Sequence, residues 1–302
     1  MSTPINHHYV SQCQLRAFFN ETEGKIHVYD KQLDNLFSKR TTKSIFSEPK
    51  LNSTVIAGEV NHNIVEDDLR FYLEDSYTKN LNIIETYATT VSEDEDGFLD
   101  ALMEMTRLGV IGEMRHPSHK KHVDDQVYGI FEMLFPQAAE KLKKQIEAVF
   151  EEKKKTKYSN PLRYAQLSGE ILQKMGEINF TVIYISNNTD YFILSDCSST
   201  TFRARINEYF NPDIKDIAMV FMPISSKIAV IAVANNMDSH PGSIKYYTER
   251  DRATLEMFNH MTLANSKKMI ICENAEYLRG FIVRQRAYYQ KVGLVLSTPY
   301  NM

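Results

Sequence analysis

The amino-acid sequence predicts an α+β protein: a mostly helical first half, a mostly antiparallel sheet with flanking helices in the second half, and an amino-terminal helix packed against the core. Three observations carry this prediction. From about residue 63 to 150 apolar residues recur at helical spacing, and from Asn179 onward β-branched and aromatic residues gather in short runs separated by turn formers. Between the two regions lies the charge run Glu151-Glu152-Lys153-Lys154-Lys155-Thr156-Lys157, which reads as an exposed linker although it could also touch phosphates. With 302 residues, 43% of them hydrophobic, the chain has material for one large or two ordinary domains.

The element at the amino terminus organises the reading. His8, Gln12 and Arg16 recur every fourth residue, so on a helix turning about 100° per residue they form one stripe, bordered by Leu15 and Phe19. Polar groups beside a burying face need partners, because an unpaired one costs roughly 1–3 kcal/mol. This helix should stop between Asn20 and Gly24. Residues 25–30 then alternate as a strand, and a second extended stretch runs from about Leu36 to Phe46. Between Asn63 and Val91 the residues Leu69, Leu73, Tyr77, Ile84 and Val91 share one helical face, and Glu66 lies on it. Glu66 is either a first-turn acid favoured by the helix dipole or an inward partner for Arg16 or His8.

Ser92-Glu93-Asp94-Glu95-Asp96-Gly97 is an acidic break capping a helix that begins near Gly97 and runs to Met114. There Arg115-His116-Pro117 interrupts helical geometry. His116, His119 and His122 invite a metal reading but lack carboxylate or thiolate companions at ligand spacing. A solvated interhelical corner is the ordinary reading, and a phosphate-contacting patch with Arg115, Lys120 and Lys121 is a third. Helical pattern resumes from Asp124 to Phe150, broken at Pro136, and again from Pro161 to Met175.

In the second half, residues 179–186 and 191–194 are expected to pair as a hairpin around Asn187-Asn188-Thr189-Asp190, and 218–223 and 227–234 as a second. Asp196 leaves the first hairpin and is placed to act as a base, a metal ligand, an anchor for Arg16 or only a turn former. Cys197 beside it reads as a small buried thiol. After Asn235-Asn236 and a turn at Pro241-Gly242, a helix from about Glu249 to Ala264 turns Leu255, Phe258, Thr262 and Leu263 inward. Asn259 sits on the same stripe and needs several hydrogen bonds. A short strand, 269–272, and a helix, 275–289, follow.

The net charge of −4 excludes an overall basic field, so any nucleic-acid site must be a local patch. Three cysteines without CxxC spacing argue against a disulfide framework and fit a reducing cytosol. No apolar run approaches the roughly 20 residues that span a bilayer, so no membrane partner is expected and a cytoplasmic location is.

The motif His8-Tyr9-Val10-Ser11-Gln12-Cys13-Gln14-Leu15-Arg16-Ala17-Phe18 resembles the opening signature of domain-of-unknown-function family 4238, with Ser11 where the family usually has proline. Val28-Tyr29-Asp30-Lys31, Val65-Glu66, Arg115-His116-Pro117, Leu194-Ser195-Asp196, Met222-Pro223-Ile224-Ser225 and Phe258-Asn259 are similar to its later blocks, although Cys197-Ser198 replaces an Asn-Pro pair. The resemblance spans nearly the whole chain, so 1–302 reads as a single family domain, with a sub-boundary near 151–160 between a helical part, 1–150, and a sheet-containing part, 161–302.

The resemblance implies a component of anti-phage defence that senses infection, triggered by a phage protein, and damages a cell component. On that basis the expected activity is phosphodiester hydrolysis of a nucleic acid or nucleotide, by a nuclease or phosphodiesterase. His8, Asp196 and Glu66 would be catalytic, and Arg16, Gln12, Arg115 and Asn259 substrate-binding, all converging in one pocket. A divalent metal held by the carboxylates and a metal-free route through His8 both remain open. The alternative is a non-enzymatic binding or sensor module in which the same cluster is a structural network and an exposed surface recognises a phage or host protein.

Overall fold

The computed structural model describes residues 6–90, 95–204, 216–234 and 243–296. The chain opens with β1 (Asn6–His8), α1 (Gln12–Arg16), β2 (Ile26–Asp30), β3 (Asn35–Lys39), β4 (Ser47–Pro49), β5 (Thr54–Ile56) and β6 (Glu59–Asn61). Helices follow: α2 (Ile64–Leu69), running into a π-helical turn at Arg70–Glu74, then α3 (Tyr77–Thr89), α4 (Glu95–Val110), α5 (Gly112–Arg115) and α6 (Pro117–Leu134). After a 3-10 turn at Phe135–Gln137 come α7 (Glu140–Lys153) and α8 (Tyr164–Met175). The remainder is β7 (Ile178–Ile185), β8 (Leu194–Ser195), β9 (Thr200–Ala204), β10 (Asp216–Pro223), β11 (Ile228–Ala234), β12 (Ser243–Tyr247), α9 (Arg252–Asn265), β13 (Met269–Cys272) and α10 (Ala275–Lys291). This is the α+β class.

The larger sheet has the order β12-β7-β11-β10-β9, antiparallel except for the parallel pair β12 and β7. Its side chains alternate between two cores, as the two-residue period of a strand requires. Phe180 and Val182 of β7, with Val220 and Met222 of β10, pack against a helical layer that includes Leu69, Leu102, Met105 and Tyr164. Ile183 and Ile185 of β7 and Phe221 of β10 face the other way, onto Phe192, Phe258, Leu263 and Phe281. Covered on both faces, the strands read as nearly continuous apolar runs. The smaller sheet, β3-β2-β13-β8, is antiparallel throughout and contributes Val28, Ile270 and Ile271 to the second core. Both cores draw on residues from either side of 151–160. The linker lysines are tied back to the first half, Lys157 to Glu48, Lys153 to Asp124, and Lys155 Nζ donating to the Gly58 carbonyl at 2.9 Å.

Three expectations need correction. The amino-terminal helix is shorter than its periodicity suggests, because His8 belongs to β1, paired with Ser47 of β4, and Ser11 caps the helix by accepting from Gln14 N at 3.4 Å. Its buried polar residue is Gln14, whereas Arg16 is exposed.

The first hairpin does not form either: β7 pairs with β11 and β12, while β8 pairs with β13 in the smaller sheet. Asn187 does make the turn, accepting from Thr189 N and Asp190 N at 3.0 and 2.8 Å. Beyond it Asn259 clips the extended strand instead, accepting from Ile193 N at 3.1 Å and donating to the Tyr191 carbonyl at 2.9 Å.

The interhelical corner at 115–120 is not solvated, since Arg115, His116 and Lys120 are all buried. The expected helix start near Gly97 agrees with α4, which is described from Glu95. Val91 to Asp94, Asn235-Asn236 and Pro241-Gly242 lie outside the described residues. No described helix is long and apolar enough to cross a membrane.

Candidate functional site

The polar triad of α1 survives as a relay, although not as one helical face. Arg16 Nη2 donates to Gln12 Oε1 at 3.3 Å, and Gln12 Nε2 lies 3.2 Å from His8 Nε2. With its oxygen turned to Arg16, Gln12 presents its amide N–H to the ring, which assigns the histidine proton to Nδ1. Burial lowers the His8 pKa, against a backbone hydrogen bond to Thr42 and the charge of Glu74, which raise it, so the ring is neutral at pH 7. Gln12 and Arg16 line an open pocket of 270 Å³ with Phe19, Glu21, Arg40, Thr41, Thr42 and Lys43. Three cationic side chains and one carboxylate therefore surround it. Among the described residues neither Arg16, Arg40 nor Lys43 is held in an ion pair.

Behind this pocket the polar groups are largely engaged with one another, although Arg115 Nε, among the described residues, is buried without a hydrogen-bond partner. Arg115 Nη2 donates to the His8 carbonyl at 3.1 Å and to Glu74 Oε1 at 2.8 Å. The π-helical turn delivers Glu74 to that contact. Tyr9 packs edge-on to His116 with ring centres 5.0 Å apart, and His116 Nε2 stands 3.6 Å from Asp196 Oδ2. His116 Nδ1 accepts from Ser118 N at 3.1 Å, capping α6, so its other nitrogen is the one that carries hydrogen toward the acid.

Asp196 has no exposure to solvent. Its Oδ1 accepts from Lys267 N at 2.9 Å, and its Oδ2 from Lys268 N and Met269 N at 2.7 and 3.0 Å. Burial alone would raise its pKa, but His116 and these amides outweigh that and hold the carboxyl below the usual range. The loop after it is knitted to α1 and α5. Gln14 Nε2 donates to the Ser198 and Pro223 carbonyls at 3.1 and 3.0 Å, and Ser198 Oγ donates to Gln14 Oε1 at 2.7 Å. Gly112 is glycine for a steric reason: a Cβ there would stand 2.5 Å from the Cys197 carbonyl oxygen.

Glu66 and Asn259 lie in further places. Glu66 Oε1 accepts from Asn52 Nδ2 at 2.5 Å, and Asn52 Oδ1 accepts from Lys120 Nζ at 2.5 Å. Lys120 also donates to Asn160 Oδ1. Burial, reinforced by Arg115, lowers the Lys120 pKa to about 7, against Glu66, Glu48 and Asp124. Asn259 Nδ2 reaches Tyr277 Oη at 2.8 Å in addition to clipping 191–193. His8, Gln12 and Arg16 are thus together, Arg115 adjoins them through the backbone, and the buried Asp196, the half-buried Glu66 and the buried Asn259 occupy separate networks. Among the described residues no three His, Cys, Asp or Glu side chains gather as a metal site.

Sequence reasoning missed Arg40 and Lys43, the residues that complete the pocket. The signal was available, because Lys39-Arg40-Thr41-Thr42-Lys43 is a basic cluster inside a stretch read only as extended. Lys120 and Gln14 gave none, since an isolated Lys or Gln is ordinarily solvated.

The family described as "Protein of unknown function (DUF4238)" matches residues 6–276. Comparison with curated proteins gives no match, and neither does comparison with solved structures.

Proposed function

The chain belongs to the DUF4238 family, and from the pocket at α1 we propose that it recognises a phosphate-bearing ligand, a nucleotide or nucleic-acid end. One observation carries this reading: Arg16, Arg40 and Lys43 converge on an open pocket with Gln12, two threonines and a single carboxylate, Glu21, and among the described residues none of the three is in an ion pair. Guanidinium groups suit phosphate because their planar donors match its oxygens, and hydroxyls add further donors. Phe19 in the wall offers a base or sugar an apolar surface. The three free cysteines suit a reducing cytosol.

Titration calorimetry of the full chain with inorganic pyrophosphate and a 5′-phosphorylated oligothymidine tests the reading. Saturable binding that weakens with added salt is expected, and Arg16→Ala with Arg40→Ala should weaken it at least about tenfold. Absence of binding by either probe at low salt would overturn it.

Phosphodiester hydrolysis is a second reading, favoured by the neutral His8 next to the pocket wall. There His8 Nε2, released by Gln12, takes a proton from the attacking water as its oxygen bonds to phosphorus, Arg16 stabilises the developing phosphorane charge, and the ester P–O bond breaks to release an alcohol that takes its proton from the imidazolium or solvent. His8→Asn should then abolish turnover of a chromogenic phosphodiester without changing pyrophosphate affinity. The role in anti-phage defence is the part of the proposal that rests on the resemblance. Plaque counts on cells carrying wild type or the Arg16→Ala, Arg40→Ala variant test it: protection lost with the two arginines supports it, and none from the wild type counts against it.

A further inference from the structure

At its β9 edge the larger sheet turns a cation toward the helical core. Ile217 of β10 stands directly opposite Arg203 of β9, so the two side chains leave the same face of the sheet. That face is the one packed against the helices, because Ile217 shares their core with Val220 and Met222. Ile217 and Val220 are three residues apart, which strict alternation would send to opposite faces. The register shift between Ile217 and Met219 leaves Ala218 without a partner across β9 and restores the facing. This bulge brings the end of the strand pair, Arg203 included, over α8.

A cavity of 220 Å³ lies there, walled by Met114 of α5, by Leu167, Ile171 and Met175 of α8, and by Ile217. Leu167, Ile171 and Met175 follow at steps of four, and Lys174, three after Ile171, joins them on that side of the helix. The wall is aliphatic and thioether throughout, and methionines adapt to the shape they meet. At the rim stand Lys174, Arg203 and Asp216. Both cations are exposed, and among the described residues none of the three is in an ion pair. Glu113, the carboxylate that also feels the Arg203 charge, is held by Lys267 Nζ at 3.0 Å. Two cations against one acid leave a net positive rim above an apolar pit, which is complementary to an anionic head on a hydrocarbon body. An apolar cavity of about 150 Å³ takes benzene, so this one takes a body of roughly eight carbon atoms. A guanidinium beside an ammonium suits a carboxylate head. We infer that this cavity binds a medium-chain aliphatic carboxylate, its chain against Ile171, Met175 and Ile217 and its head between Lys174 and Arg203. The site is separate from the pocket at α1, with which it shares no lining residue.

Titration calorimetry of the full chain with octanoate tests this, beside hexanoate, octan-1-ol and a chain carrying both Lys174→Gln and Arg203→Gln. One octanoate should bind per chain, hexanoate at least about fivefold more weakly because two methylenes are lost, and octanol at least about tenfold more weakly because the charge is lost. The double variant should lose at least about tenfold in octanoate affinity while melting as the wild type does, since both side chains are exposed. Absence of saturable octanoate binding at millimolar concentration overturns the inference. Octanol binding as tightly as octanoate overturns the role of the two cations. Undiminished affinity in the double variant, or displacement of octanoate by pyrophosphate, overturns the assignment to this cavity.

Discussion

The pocket at α1 and the buried knot around Asp196 lie back to back, joined through Tyr9 and His116 and through His8 and Arg115. Both are rich in charge, yet they treat it in opposite ways. In the knot the charged and polar groups are held within the fold: Asp196 accepts from three backbone amides and faces His116, and Gln14 bridges two carbonyls and a serine. In the pocket Arg16, Arg40 and Lys43 outnumber the one carboxylate, Glu21, and among the described residues none of the three is in an ion pair. A buried charge survives only if paired, so pairing inside marks groups that hold the fold. Unsatisfied cations at an open concavity mark groups available to a ligand. A list of polar residues cannot separate the two, and their environments do.

Substitutions on either side should fail in different ways. The largest effect is expected for Asp196→Ala, which strips the acceptor from three amide groups and from His116. A loss of about 3–5 kcal/mol in denaturant unfolding follows from stranding such groups. If the variant melted as the wild type does but lost ligand binding, the knot would be functional instead. Gly112→Ala comes next, because its Cβ would lie 2.5 Å from a backbone oxygen that cannot swing away as a side chain does. About 1–3 kcal/mol of destabilisation is expected, with pyrophosphate affinity unchanged once folded.

Lys120→Met removes a donor from the Asn52 and Asn160 oxygens and should cost about 1–3 kcal/mol. It should also change the pH dependence. Lys120 titrates near 7 when folded and at 10.5 when unfolded, so between those values the unfolded chain holds the extra proton and wild-type stability rises with pH. The methionine variant should lose the part of that slope that begins near pH 7, while burial of Lys31 and Lys227 keeps the rest, and an unchanged slope would contradict the assignment to Lys120. On the acid side, His8 lies below 6.5 when folded, so its contribution is present above that pH and fades as pH falls. The smallest stability effect is expected for Arg16→Ala and Arg40→Ala, within about 0.5 kcal/mol, since both residues are exposed.

Much of the fold was legible because its signals are local. The face of Leu69, Leu73, Tyr77 and Ile84 is buried as its spacing indicates, and β10 and β11 pair around Ile224-Ser225-Ser226. The misreadings were tertiary. A pattern of four could not reveal that Ser11 starts the helix after His8, nor that Asn259 would stand in for a strand partner at 191–193. The basic corner at 115–120 looked solvated because its partners, the carboxylates of Glu74 and Asp196 and the amide oxygens of Asn52 and Asn160, come from remote parts of the chain. Of the site itself, His8, Gln12 and Arg16 could be read from one motif. Arg40 and Lys43 complete it from a separate corner that only the fold brings to α1.

The division between knot and pocket is tested most directly by one paired titration: pyrophosphate affinity and melting temperature, measured together, for Asp196→Asn and Arg16→Ala. Asp196→Asn should melt several degrees lower and bind as the wild type does, and Arg16→Ala should melt as the wild type does and bind at least about tenfold more weakly. The opposite pattern, with affinity lost at position 196 and stability lost at position 16, would contradict the account.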